Sequence, residues 1–298
     1  MRKIGFMDVQ AGHYLPYRSS QLHYYAWGNG PRILFAFHGY GETGASFAFI
    51  GEALGALDPG WTVIAIDLPF HGRTEWKEGL SFTPEQLYAI MQAIAGHRAA
   101  NEPGLPANAL VHAQPSPPWR LLGYSMGGRV ALQLLGGHPR SVDRLVLLAP
   151  DGMKVNIWYR IATRTAAGNR LFRWTMRRPG WLFLLLRFCN ALRLVNPSIY
   201  KFAVHYIDDR RVRRDLYIRW TAMRRFQPNL ATIAAIIRQR NLRVSLVYGR
   251  HDRIIRWETA ERFRNRGIAG QCQLILLDAG HQLLRPAFLP DILPLLAD

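Results

Sequence analysis

A strand, a sharp turn and a helix are predicted in immediate succession between Trp119 and Leu132. An apolar run leads into a Gly-x-Ser-x-Gly motif, in which Gly123 and Gly127 flank Ser125. Side chains at the two glycine positions would collide with the neighbouring strand and helix. Such a turn lifts a serine hydroxyl out of a sheet and points helix N–H groups at the place where an oxyanion would form. The stretch therefore predicts a nucleophilic serine at the end of a strand.

Apolar runs typical of strands buried on both faces recur along the chain. They occupy residues 32–37, 62–67, 119–124, 143–150, 243–249 and 272–277. Helical patterns lie between them, and one begins with the capping sequence Thr83-Pro84-Glu85-Gln86. Residues 14–27 predict an N-terminal hairpin that closes at Gly28-Asn29-Gly30. The alternation predicts an α/β fold with a doubly wound, mostly parallel sheet.

One arginine-rich segment interrupts this alternation. Residues 152–240 contain helical spacings and no strand pattern, so we expect a core domain of residues 1–151 and 241–298 with an inserted helical cap of residues 152–240. Between Met153 and Arg240 there are 17 arginines, two lysines and three aspartates, so this segment holds +16 of the net charge of +18. The basic character of the protein is therefore confined to the predicted cap.

Composition narrows the class of protein further. The two cysteines, Cys189 and Cys272, predict neither a disulfide framework nor a metal site, and no metal or organic cofactor is expected. The first eight residues lack the apolar core of a signal peptide, and the run 181–186 is far too short to span a bilayer. We therefore expect a cytoplasmic protein, with a peripheral membrane association left open. Residues 101–118 hold five prolines and predict an exposed loop.

Chemically useful side chains follow several of the predicted strands. A serine hydroxyl needs an imidazole to take its proton, and the imidazole needs a carboxylate to hold its tautomer. His281 follows the last strand and Asp252 the strand before it, in the chain order expected for this architecture. Asp151 and Asp278 compete with Asp252 for the role of the acid. We predict Ser125, Asp252 and His281 as the catalytic group.

Two backbone N–H groups are expected to complete the site. Met126 directly follows the serine, and Tyr40 follows the early strand that ends in His38-Gly39. Their N–H groups are predicted to form an oxyanion hole. His38 is expected to brace its loop through hydrogen bonds and not to transfer protons. A catalytically inactive relative that serves as a binding or receptor protein is the alternative function class.

These motifs together resemble the α/β-hydrolase fold superfamily, and specifically its serine esterases with a helical cap. The similar stretches are His-Gly-Tyr-Gly-Glu-Thr from His38, Asp-Leu-Pro-Phe-His-Gly-Arg-Thr from Asp67, Gly-Tyr-Ser-Met-Gly-Gly around Ser125, and the segments that contain Asp252 and His281. The sequence departs from the family pattern in having Phe70 for Gly and Thr74 for Ser. The resemblance implies hydrolysis of a carboxylic ester, or a thioester, through an acyl-enzyme.

The predicted cap bears on substrate and partners. Its apolar residues suggest a small-molecule ester with a hydrophobic acyl or alkyl group. Its arginines have three interpretations: a solvated face, a surface for an acidic acyl-carrier protein or coenzyme thioester, and a contact with an anionic membrane. Arg173, Arg177 and Arg178 lie close in sequence to Trp174 and Trp181, which suits the membrane interpretation. Nucleic acid is not expected, since no recognised binding module is present.

Overall fold

A computed structural model describes residues 12–100, 118–154, 157–192 and 207–297 of the chain. The first eight residues and all but the last residue of the predicted loop 101–118 lie outside these ranges. Both interpretations therefore stay predictions.

Within the described ranges, eight strands form one sheet. They are β1 His13–Tyr17, β2 Ser20–Trp27, β3 Arg32–Phe37, β4 Trp61–Ile66, β5 Trp119–Tyr124, β6 Val142–Leu148, β7 Arg243–Gly249 and β8 Cys272–Leu277. Their spatial order is β1-β2-β4-β3-β5-β6-β7-β8. β2 pairs antiparallel with β1 and β4, and every other pair is parallel. The predicted mostly parallel α/β sheet is confirmed.

Helices connect and flank these strands. They are α1 Ala48–Leu57, α2 Pro84–Ala100, α3 Met126–Gly137, α4 Ile157–Arg164, α5 Ala166–Arg177, α6 Gly180–Ala191, α7 Arg210–Ala222, α8 Leu230–Arg240, α9 Glu258–Arg264 and α10 Leu289–Ala297. The predicted cap of α2 forms, since Thr83 N–H donates to Gln86 Oε1 and Gln86 N–H donates to Thr83 Oγ1. None of the helices described is both long and apolar enough to cross a membrane.

The central strands supply a continuous apolar core. One buried cluster takes a residue from each of the five strands β3 to β7: Leu34, Val63, Leu122, Val146 and Val247. Buried side chains of α1 and α10 belong to the same cluster. The strands between the sheet edges are thus buried as their unbroken apolar sequences predict.

The N-terminal hairpin closes earlier than its sequence suggests. Tyr17 pairs with Ser20 across a two-residue turn, whereas Gly28 to Gly30 connect β2 to β3. Arg18 adopts a φ of 54°, a conformation that sequence rules reserve for glycine or asparagine. The glycines predicted for the turn are required elsewhere, because Gly28 and Gly30 pack against the backbone of the strand β4.

Contacts divide the chain into two units. The first comprises Met1–Lys77, Thr83–Lys154 and Phe226–Asp298, and the second comprises Glu78–Phe82 and Val155–Arg225. The predicted insertion, 152–240, ends later than the second unit. The difference is the helix α8, whose buried Ile233 lies against Gly136 of α3. Its apolar face therefore belongs to the first unit, although its sequence continues the basic, helical pattern of the insertion.

The chain leaves and re-enters the first unit at neighbouring points. Gly152, with a φ of 95°, precedes the second unit, and Pro228 follows it. A Cβ atom on Gly152 would lie 3.1 Å from Cγ of Pro228 and 3.1 Å from Cγ of Arg129. The residues of the first unit that flank the segment 155–225 on its two sides are therefore close together.

The second unit has a small polar and aromatic centre of its own. The hydroxyl of Tyr217, on α7, donates to Asn169 Oδ1 and accepts from Nε of Arg173, both on α5. The hydroxyl of Tyr159, on α4, donates to the carbonyl of Trp220. These bonds tie α4 and α5 to α7, and α6 takes no part in them.

Candidate active site

Ser125 occupies a strained turn between β5 and α3. Its φ of 51° and ψ of −113° lie outside the regions that side chains with a Cβ prefer. The turn is held on both sides, because Ser125 N–H donates to the carbonyl of Leu148 at 2.9 Å and Ser125 C=O accepts from Gly128 N–H at 2.9 Å. The fold thus maintains an unfavourable conformation that presents the serine side chain.

The two glycines of the motif make this turn possible. A Cβ on Gly123 would lie 2.6 Å from the carbonyl oxygen of Gly127. A Cβ on Gly127 would lie 1.9 Å from the carbonyl oxygen of Phe37 and 2.9 Å from that of His38. Because backbone atoms cannot yield to such contacts, side chains are excluded, and the first turn of α3 lies against the end of β3.

Three predicted side chains form a hydrogen-bonded chain. Nε2 of His281 lies 3.1 Å from Oγ of Ser125, and Nδ1 of His281 lies 2.7 Å from Oδ2 of Asp252. An ionised carboxylate only accepts hydrogen bonds, so Nδ1 carries the proton and Nε2 is free to accept the serine O–H. Residues 156 positions apart are therefore in the relation that nucleophilic catalysis requires.

Asp252 is fixed and shielded from solvent. Its side chain is fully buried, and its Oδ1 accepts from the N–H groups of Ile254 at 2.7 Å and Ile255 at 2.9 Å. The two competing carboxylates have other partners: Asp151 pairs with Arg129, and Asp278 hydrogen-bonds His251. Asp252 is thus the carboxylate that hydrogen-bonds His281.

The loops that carry Asp252 and His281 are bonded to each other. Arg250 N–H donates to the carbonyl of Leu277 and His251 N–H donates to the carbonyl of Ala279, each at 2.9 Å. A Cβ on Gly249 would lie 2.2 Å from the carbonyl oxygen of Gly280. The carboxyl ends of β7 and β8 therefore hold the acid and the imidazole at a fixed separation.

The loop after β3 contains the predicted backbone donor Tyr40. The Nε2 atom of the buried His38 accepts from Leu68 N–H at 3.1 Å, so its Nδ1–H donates to Gly39 C=O at 2.8 Å. This imidazole thus connects the loop after β3 to the loop after β4. Met126 is the first residue of α3, so its N–H has no acceptor within the helix.

The loop after β4 contains both departures from the family pattern. Phe70 adopts a φ of 65°, the left-handed conformation that explains the glycine usual at this point. Thr74 provides the same hydroxyl as a serine: its Oγ1 donates to Asp67 C=O and accepts from His23 N–H. His23 also hydrogen-bonds the buried carboxylate of Asp67 at 2.7 Å. The departures therefore leave the loop's hydrogen bonds in place.

The sequence analysis did not identify two residues that support the site. The hydroxyl of the buried Tyr124 donates to the carbonyl of His281 at 3.2 Å, and its ring would touch a Cβ on Gly39. Oε2 of Glu42 accepts from Gly39 N–H at 3.3 Å. Burial raises the pKa of Glu42, while the Gly39 N–H and the charge of His281 lower it. Both side chains brace backbone next to the catalytic candidates, a role for which the sequence carries no specific signal.

Replacement of Glu42 by glutamine is expected to raise the melting temperature at pH 7.5 and leave it unchanged near pH 4. The folded pKa of Glu42 lies above its ordinary value of 4.5, so the folded state binds the proton more tightly than the unfolded state. The folded state therefore loses stability as the pH rises from 4.5 through the raised pKa of Glu42. Glutamine keeps the oxygen that accepts from Gly39 N–H but carries no charge. Thermal unfolding of wild type and E42Q at both pH values measures the effect.

The control for this variant is E52Q, since Glu52 is exposed on α1. Its melting temperature should follow that of wild type at both pH values. An equal shift for E42Q at the two pH values would contradict the electrostatic explanation.

Among the residues described, no three His, Cys, Asp or Glu side chains lie close enough together to hold a metal ion. Burial raises the pKa of the Cys272 thiol to about 12, so this cysteine stays protonated at neutral pH. Cys272 is therefore not a nucleophile candidate that competes with Ser125.

A family model for the alpha/beta hydrolase fold matches residues 32–284. An uncharacterised protein of Mycobacterium tuberculosis is 30% identical over 138 residues, which cover 46% of this chain and 34% of that protein. The chain thus spans about a third of the length of the curated relatives it matches.

Solved structures resemble the chain over nearly its whole length. A carboxylesterase structure from Nitrososphaera gargenis is 16% identical, covers 95% of this chain and 96% of that one, and has a TM-score of 0.60. The thioesterase domain from the curacin biosynthetic pathway is 17% identical, covers 96% and 99%, and has a TM-score of 0.59. At these identities the likeness establishes the fold. With the sheet order and the extent of the family match, it follows that the chain belongs to the α/β-hydrolase fold family.

Proposed function

We propose that this protein is a serine hydrolase that cleaves a carboxylic ester, or a thioester, through an acyl-enzyme intermediate. The observation that carries the proposal is the hydrogen-bonded chain from Ser125 through His281 to Asp252, with its 3.1 Å and 2.7 Å contacts. A buried carboxylate, an oriented imidazole and a strained serine turn together suit nucleophilic attack on a carbonyl carbon.

In the proposed first half-reaction, Oγ of Ser125 bonds to the substrate carbonyl carbon while His281 Nε2 takes its proton. The negative charge of Asp252 stabilises the imidazolium that forms. The carbonyl oxygen becomes an oxyanion, for which Met126 N–H and Tyr40 N–H are the proposed donors. Collapse expels the alcohol or thiol, which receives the proton from Nε2.

Hydrolysis of the acyl-enzyme repeats these roles with water. His281 removes a proton from the attacking water and returns it to Oγ of Ser125 as the carboxylic acid departs. Each cycle consumes one water and restores the starting protonation states. No further reactant is needed.

The proposed substrate class follows from the fold neighbours and from the inserted segment. The fold neighbours described as a carboxylesterase and a thioesterase domain are the reason that both ester and thioester are retained. A hydrophobic acyl or alkyl group is proposed from the many apolar side chains of the inserted segment.

Labelling with a fluorophosphonate probe tests the proposal. The wild-type protein is expected to form one covalent adduct, and peptide mapping should locate it on Ser125. Absence of an adduct, or an adduct that persists in S125A, would overturn the enzyme assignment in favour of a non-catalytic binding protein. Turnover of p-nitrophenyl esters from acetate to palmitate, and of matching thioesters, then defines the substrate class.

A further inference from the structure

Helices α4 to α6 expose an unusual amount of apolar surface. Of the 13 exposed large hydrophobic side chains among the described residues, ten lie between Ile157 and Leu192. Trp158 is 76% exposed and Leu184 68% exposed. Helix α6, which reads Gly-Trp-Leu-Phe-Leu-Leu-Leu-Arg-Phe-Cys-Asn-Ala, buries none of its twelve residues. Water-soluble surfaces rarely leave so many large apolar groups together unless something binds them.

Two of these side chains, on neighbouring helices, contact each other in space. The rings of Trp174 on α5 and Trp181 on α6 stack with centroids 6.0 Å apart and planes 19° from parallel, and both are exposed. The stack joins the end of α5 to the start of α6. It therefore extends the apolar surface of α6 onto the neighbouring helix.

The same three helices carry one sign of charge. Residues 157–191 contain seven arginines and no aspartate or glutamate, and all seven arginines are exposed. Arg177 and Arg178 follow the stacked Trp174 and precede Trp181, and Arg187 lies between Leu184 and Phe188. Cationic and apolar groups are thus interleaved within single helical turns.

We propose that the exposed surface of α4 to α6 docks in the plane of an anionic lipid bilayer. Guanidinium groups pair with lipid phosphates, while tryptophan, leucine and phenylalanine side chains enter the boundary between headgroups and acyl chains. Helices of eight to twelve residues are too short to span the hydrocarbon layer and lie along it.

The interleaving is what favours a lipid partner over an acidic protein. An acidic carrier protein would neutralise the arginines but offers no comparable apolar surface to ten large side chains. A bilayer accepts both kinds of group, the guanidinium groups at its phosphates and the apolar side chains just beneath them. A lipid surface therefore offers partners to the exposed apolar side chains as well as to the arginines.

Sedimentation with vesicles tests the proposal on the whole 298-residue chain. We expect binding to phosphatidylcholine vesicles that contain phosphatidylglycerol, weak binding to phosphatidylcholine alone, and a decrease as salt is added. Binding requires no turnover, so S125A should sediment like wild type. The test therefore stands even if the proposed hydrolase activity is not found.

Two sets of variants separate the contributions. R177Q/R178Q should reduce the partition coefficient by about tenfold or more. W158S/L184S should reduce binding to a similar extent without changing net charge. Controls are R243Q/R262Q, which removes two exposed arginines outside the three helices, and L57S, which removes an exposed leucine of α1. Circular dichroism verifies that each variant folds.

The proposal is overturned if phosphatidylglycerol does not promote sedimentation, or if the control variants lose as much binding as the test variants. Loss in R177Q/R178Q with undiminished binding of W158S/L184S would also overturn it. That result would identify a purely electrostatic surface, as an acidic protein partner requires.

Discussion

Turnover of an ester substrate should fall by about six orders of magnitude in S125A, the loss that follows removal of the nucleophile in a serine protease. The remaining side chains would still bind substrate, but His281 would have no hydroxyl from which to take a proton. The decrease is expected in kcat with little change in KM, measured by steady-state kinetics on the best ester of the chain-length series.

S125G provides the matched variant. Both substitutions remove the hydroxyl, so both should lose activity equally. The φ of 51° and ψ of −113° suit glycine and not alanine, so S125G should be more stable than S125A by about 1 kcal/mol. Equal melting temperatures would show that the turn is unstrained, and residual activity that differs between the variants would contradict the assignment of the nucleophile.

D252N should lower kcat by about four orders of magnitude, as the same change does in a serine protease of a different fold. The asparagine oxygen can still accept from Ile254 and Ile255 N–H. Its NH₂ group would then donate to Nδ1 of His281, so the imidazole proton would move to Nε2. A protonated Nε2 cannot accept the proton of the serine hydroxyl. The imidazolium would also lose its stabilising charge.

The control for this variant is D278N. Asp278 is 89% exposed and hydrogen-bonds His251, so its replacement should leave kcat unchanged. Melting curves establish that both variants remain folded. Comparable losses in D252N and D278N would mean that the acid has been assigned to the wrong strand end.

Much of the fold follows from local sequence patterns. The bounds of β3, β5, β7 and β8 agree with the apolar runs, because strands buried on both faces contain little besides apolar residues. The turn at Arg18 was missed because the fold imposes a left-handed conformation on a residue that does not favour it. The sequence pattern assigned α8 to the insertion, whereas its contacts place it in the first unit. Its buried face is small, and its exposed face continues the basic composition of the insertion.

Residues of the candidate site that directly follow a strand could be predicted from the sequence. Residues that act through contacts between distant loops could not. Ser125, Asp252 and His281 each follow a strand, and parallel strands bring their carboxyl ends together. Tyr124 and Glu42 act on backbone atoms of His281 and Gly39, respectively. Their sequence neighbourhood shows only a tyrosine and a glutamate of ordinary kinds, so the contacts emerge from three-dimensional structure alone.

The closeness of Gly152 and Pro228 has a consequence for the segment 155–225. Because these two residues of the first unit lie side by side, a short linker between them would replace the segment without separating the strands or the loops that carry the catalytic candidates. The same deletion would remove the partners of Glu78–Phe82, since Phe82 N–H donates to the carbonyl of Ala222. Such a deletion must keep α8, since removal of Leu230–Arg240 would uncover the helix that begins beside Ser125. Exchange of the segment between Lys154 and Phe226 would likewise alter the surface that we propose to dock on lipid, while the hydrogen bonds from Ser125 through His281 to Asp252 stay in place.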